Sequence, residues 1–129
     1  MLGSFLLRIM LALAVGTIIG LKTSTVVARM FAIICTGAAL LTIVSTEFYQ
    51  VIDYPWFSDP GRLSAQVLAA LGFLGTGLIW ISETNKVHGL SAAASIWVTA
   101  ILGILIGSGL GPASLIVVVL LVVAFMVLG

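Results

Sequence analysis

The residues able to do chemistry in this chain are few, and several gather near the starts of two apolar stretches. Arg8 lies about two helical turns inside the first stretch. Arg62 and Gln66 stand four residues apart at the start of the third, so a helix puts them on one face. Asp59 precedes Arg62 by three residues, within reach of an ion pair. A charge at the bilayer centre costs at least about 2.5–3.5 kcal/mol, which makes intramembrane ionisable residues functional candidates by default. Two arginines, a glutamine and an aspartate near one membrane face can bind a lipid phosphate or a small anion, or pair with one another across a dimer. The structural alternatives are Arg8 snorkelling to the headgroups and Asp59 capping a helix.

Other chemistry has less to stand on. Cys35 is the single cysteine, so it forms no intramolecular disulfide and no cysteine-based zinc site. It falls in an apolar run, where a buried and inert thiol is expected. His88 stands alone in a loop. No nucleophile has a base at productive spacing, and no mid-membrane carboxylate offers a proton relay. Within the spans no acidic cluster suits Mg²⁺, which prefers oxygen ligands and keeps its waters. Glu47, Asp53 and Asp59 hold at most a weakly bound hydrated cation at the mouth. The expectation is a protein that is not an enzyme and has no cofactor and no resident metal.

The elements that position these residues follow from composition. Of 129 residues, 62% are hydrophobic and 7% charged. Soluble domains are about one quarter charged. This chain cannot cover a water-facing surface, which excludes a soluble enzyme and a disordered linker. The net charge of +1 recruits no nucleic acid. A membrane-crossing helix needs about 20 mostly apolar residues. Five stretches qualify or nearly so: 2–21, 26–45, 63–81, 91–107 and 112–128. The fold expected is therefore all-α, a single domain forming a polytopic bundle of about five transmembrane helices. The first span is not expected to be a cleaved signal peptide, because its n-region holds a single arginine and no clean small-x-small cleavage site precedes the next charge. Asp59-Pro60 is expected to open the third span as N-cap and N1. Ser91 is expected to cap the fourth, and Gly111-Pro112 to open the fifth. Five aromatics between Phe48 and Phe57, namely Phe48, Tyr49, Tyr54, Trp56 and Phe57, suggest an interfacial belt or a lid. Lys22, Arg29 and Lys86 against Arg8 and Arg62 favour an outside N-terminus and a cytoplasmic C-terminus.

Helices in lipid associate through small residues. In the fourth span Ser91, Ser95, Thr99, Gly103, Gly107 and Gly111 recur at i+4, while Trp97 sits mid-span, away from either interface. The first span has Ala12, Gly16 and Gly20 at the same spacing. The third carries Gly72, Gly75 and Gly77 within six residues, a density that weakens a helix. That stretch is either a close helix contact or a broken helix beside a site. The stripes predict a tight core of spans one, three and four, and they line either packing faces or a solute path. The partners expected are the lipid bilayer, a second copy of the chain (a dimer is favoured) and another membrane complex.

Asp59-Pro60-Gly61-Arg62-Leu63-Ser64-Ala65-Gln66-Val67, running into Gly72-Phe73-Leu74-Gly75-Thr76-Gly77, resembles the central motif of the MgtC/SapB membrane family. Gly89-Leu90-Ser91-Ala92-Ala93-Ala94-Ser95-Ile96-Trp97-Val98-Thr99-Ala100 and Gly16-Thr17-Ile18-Ile19-Gly20-Leu21 are also similar to it. The likeness covers nearly the whole chain and is to the membrane domain, without the soluble C-terminal domain of longer members. Lys22-Thr23 stands where the family has an acid and an arginine. The resemblance implies a bacterial inner-membrane protein linked to magnesium limitation and ion transport. It also implies that Asp59, Arg62, Gln66, Gly72, Gly75, Gly77, Trp97 and Thr99 occupy motif positions.

Overall fold

The computed structural model describes residues 2–22, 24–51, 59–109 and 111–128. Five helices alternate in direction: α1 (Leu2–Leu21), α2 (Thr25–Val51), α3 (Gly61–Leu78), α4 (Leu90–Ser108) and α5 (Pro112–Leu128). The fold is an all-α bundle of membrane type. α1, α2 and α4 are each long and apolar enough to cross a bilayer, and α5 is a shorter apolar helix. α3 has 18 residues and is more polar, carrying Arg62, Ser64 and Gln66 in its first two turns.

The helix starts show why the chain turns where it does. Pro60 takes the N-cap position of α3 in a helical conformation. The Asp59 carboxylate accepts the Gly61 N–H at 2.8 Å, and the Asp59 carbonyl accepts the Arg62 N–H at 3.1 Å. The expected cap is thus one residue out of register but still satisfies a first-turn donor. α5 opens with Pro112 at N1, where its missing N–H costs nothing. Ser91 does not cap α4. Gly89 holds that position at φ 83°, and its carbonyl accepts the Ala93 N–H at 2.9 Å. A Cβ on Gly89 would collide with the Leu78 carbonyl, so both its conformation and its surroundings require glycine.

The predicted third span to residue 81 is too long. α3 ends at Leu78, and Trp80–Ile81 (β1) pairs antiparallel with Val87–His88 (β2). Ser82 to Lys86 close this hairpin, with Asn85 left-handed at φ 58°. His88, expected to be isolated, stacks on Trp80 with ring centres 5.3 Å apart. Conversely, α2 runs past the expected residue 45 to Val51. Most of the aromatic segment 48–57 lies outside the described residues; Tyr49 is exposed on α2.

The expected core of spans one, three and four is corrected by α2, which sits between α1 and α4 throughout. Its buried row is Ala28, Ala32, Cys35, Ala39 and Thr42. Against one side lie Gly16 and Gly20 of α1; a Cβ at Gly16 would stand 2.6 Å from the Phe31 carbonyl oxygen. Against the other lie Gly103 and Gly107 of α4; a Cβ at Gly107 would stand 2.5 Å from the Ala39 carbonyl oxygen. With no hydrophobic force between helices in lipid, this close approach of backbones supplies the dispersion contact that holds the three together. α3 packs mainly on α4, where Gly75 faces Ala93.

Cys35 is free and fully buried between Gly16 and Gly103. In detergent the folded protein is expected to resist a bulky maleimide at Cys35, and to react once unfolded by dodecyl sulfate. Rapid labelling of the folded chain would contradict the α1–α2–α4 packing.

Candidate functional site: the outer face of α3 and the polar end of the bundle

The starts of α1 and α3 and the end of α4 lie at one end of the bundle. Arg8 reaches there across 99 residues of sequence, its Nη1 donating to the Gly107 carbonyl at 3.2 Å. That carbonyl is among the last four of α4, which lack acceptor duty within the helix. A cation at a helix C-terminus also opposes the negative end of the macrodipole. Arg8 therefore does not simply extend to the headgroups; it is half-buried and holds the end of α4. At the opposite end Lys22 Nζ donates to the Met126 carbonyl in the last turn of α5. Arg8 of α1 and Lys22, just past its end, thus serve the C-termini of two other helices.

The remaining polar candidates do not join Arg8. Asp59 is spent on the Gly61 N–H, and no ion pair links it to Arg62 or to Arg8. Arg62 and Gln66 are exposed and make no hydrogen bond or ion pair among the described residues. They begin a row that helical spacing continues through Ala69, Phe73 and Thr76. Phe73 is 80% exposed. Nothing stands within 4 Å of a Cβ built on Gly72 or Gly77, so these glycines flank an open face. α3 is continuous through them, and only Gly75 of the three is buried. Thr76 satisfies its hydroxyl on the Phe73 carbonyl at 2.6 Å.

On α4, Thr99 is fully buried and donates to the Ser95 carbonyl at 2.7 Å. Ser95 in turn donates to the Ser91 carbonyl at 2.8 Å. Ser91 and Ser95 line a shallow cleft toward α5 beside Leu121 and Phe125. Trp97 is 46% exposed, on a different side of α4. Of the other buried hydroxyls between helices, Thr36 Oγ1 on α2 has no partner among the described residues, while those of Thr42 and Ser45 are engaged. Thr42 donates to the Ala38 carbonyl at 2.8 Å and lies 3.3 Å from Ser64 Oγ, while Ser45 donates to the Pro60 carbonyl at 2.8 Å. These contacts tie the end of α2 to the start of α3, and sequence spacing did not announce them. Thr36 apart, the buried side chains described between α1, α2 and α4 present apolar surface or hydroxyls turned onto backbone carbonyls. Among the described residues no group of three or more His, Cys, Asp or Glu converges as metal ligands would.

Comparison with known proteins decides the family. The family model described as "MgtC family" matches residues 9–129. The chain belongs to the MgtC family. The putative magnesium transporter YhiD of Escherichia coli is 38% identical over 116 residues, which cover 85% of this chain and 54% of YhiD. Protein SapB of Bacillus subtilis is 33% identical over 81% of this chain and 47% of its own length. Protein MgtC of Salmonella typhimurium is 33% identical over 81% of this chain and 44% of its own. The chain spans about half the length of these curated relatives. No solved structure matches it. In this MgtC-family chain the open Gly72 and Gly77, and Arg62, which makes no hydrogen bond or ion pair among the described residues, fall on α3, whose sequence carries the motif described above.

Proposed function

We propose that this protein is a bacterial inner-membrane protein of magnesium-linked homeostasis that acts by helix contact with another membrane complex, and not as an enzyme. The outer face of α3 carries this reading. Arg62, Gln66 and Phe73 project from a helix whose Gly72 and Gly77 leave room for a second backbone. An exposed guanidinium next to a close-approach face gives a partner both packing and a charge to recognise. The close packing of α1, α2 and α4 supports it as well, because Gly16, Gly20, Gly103 and Gly107 bring the backbones together with no charged side chain buried between them among the described residues. In this reading Lys22, Arg29 and Lys86 lie in the cytoplasm and the N-terminus outside.

A second reading is favoured by the name of the YhiD relative and by the free Arg62. Here α3 faces meet between copies of the chain, a dimer or larger, and build or support a translocation path. Flux and growth separate the two. Purified wild type in sealed liposomes is expected to pass no Mg²⁺, monovalent cation or simple anion. In a strain lacking the protein, wild type is expected to restore growth in low magnesium. Gly72→Leu with Gly77→Leu is expected to accumulate and fold but not to restore it. Ion flux through wild-type liposomes that disappears in Arg62→Ala would overturn the regulatory reading and establish the translocating oligomer.

A further inference from the structure

A second site lies at the other end of the bundle, independent of the face just described. α2 and α3 are tied together where Thr42 meets Ser64 and Ser45 meets Pro60. Toward the opposite end α3 stays on α4, and an open cleft of about 420 Å³ separates it from α2. Met30, Ile33 and Ile34 form one wall, Leu74 and Leu78 the other, and the buried Ile96 of α4 the floor. One charged residue lines it, Arg29. Its side chain is exposed and makes no hydrogen bond or ion pair among the described residues.

We propose that this cleft is a binding site for one anionic phospholipid, its phosphate on the Arg29 guanidinium and an acyl chain between α2 and α3. Charge complementarity selects the occupant. A guanidinium forks onto phosphate oxygens with charge-assisted bonds, while the remaining lining is apolar and suits a hydrocarbon chain. Depth agrees. Arg29 is four residues from the start of α2, about 6 Å along the axis, so its head reaches the headgroup level while its stem lies on the helix. The volume falls within the roughly 300–1,000 Å³ of ligand pockets. Gly37 lies one turn further along the same side of α2: helical spacing puts it on the Ile33–Ile34 face, and a Cβ there would meet nothing within 4 Å. Of the other cations near this end, Lys22, just past α1, is engaged with Met126, and Lys86 lies in the β1–β2 turn and does not line the cleft, so Arg29 is the cation placed for the phosphate.

Native mass spectrometry of the full chain from detergent tests the proposal, with phosphatidylglycerol and phosphatidylcholine of identical chains added in turn. Wild type is expected to retain phosphatidylglycerol about fivefold better, the preference one arginine at a membrane surface confers. Arg29→Gln is expected to erase that preference, and Arg29→Lys to keep part of it. Leu74→Trp, which fills the cleft without touching the charge, is expected to reduce retention of both lipids. Circular dichroism and the monomer's mass establish that each variant is folded. Equal retention of the two lipids by wild type, or an unchanged preference in folded Arg29→Gln, would overturn the site. So would phosphatidylglycerol displaced by inorganic phosphate with Leu74→Trp silent, which describes an anion site without a lipid. Dimers that dissociate in Arg29→Gln and carry no lipid would instead assign the cleft to a second copy.

Discussion

Gly103→Leu lowers the stability of the purified protein by about 1–3 kcal/mol or more, the cost of overpacking a filled interface. A Cβ at this position would overlap the Cys35 carbonyl oxygen and stand 2.9 Å from Ala38 Cβ. The first obstacle is main chain, so no rotamer change relieves it. α2 and α4 must separate, and separation forfeits dispersion along the whole row from Cys35 to Thr42. The matched control is Gly72→Leu, where nothing lies within 4 Å among the described residues and the change is expected to be neutral or stabilising by up to about 1 kcal/mol, the helix-propensity gain over glycine. Thermal unfolding in a mild detergent, followed by helical circular dichroism, measures both. Equal losses at the two positions would mean that the α2–α4 contact is not the tight one.

Arg8→Met is expected to cost about 1.5–3 kcal/mol, the range for hydrogen bonds to charged groups. Two effects oppose each other. Removing a charge from an apolar helix relieves its insertion cost, whereas losing the donor leaves the Gly107 carbonyl without its partner. The second wins because Arg8 lies near the helix end, where the insertion cost is small, and because the carbonyl is half-enclosed. Arg8→Lys should lose less, since an ammonium still complements the end of α4. Unfolding in detergent reads the stability, and limited proteolysis at the α4–α5 turn reads local loosening. A more stable Arg8→Met protein would show that burying the guanidinium costs more than its bond returns.

Much of the bundle was legible in the sequence because lipid imposes a strong length rule. α1 and α5 fall on the expected residues, and α4 differs by one at each end. The hairpin escaped because each strand has two residues, too few for any alternation to register. The central place of α2 escaped for a different reason. Ala28, Ala32, Cys35 and Ala39 form a small-residue row as good as the glycine stripes, but alanine and cysteine read as ordinary apolar filling. Glycine content alone did not distinguish the two kinds of face. Gly103 and Gly107 meet α2 with no spare room, whereas a Cβ at Gly72 or Gly77 would meet nothing within 4 Å among the described residues. For the polar residues, spacing correctly placed Arg62 beside Gln66 but could not find the partner of Arg8. Its acceptor is a backbone carbonyl, and every residue has one.

Arg8 of α1 and Lys22, just past its end, also set an order for biosynthesis. Arg8 enters the membrane 99 residues before its acceptor at Gly107, and Lys22 precedes Met126 by 104. The hairpin of α1 and α2 can form early, from neighbouring segments. Its two charges then wait at opposite ends of α1 until the last helices arrive. A nascent chain stopped after α3 therefore lacks the acceptors of both Arg8 and Lys22. α4 supplies the first acceptor and α5 the second, so the N-terminal helix is fixed at both ends only when the last helix is in place.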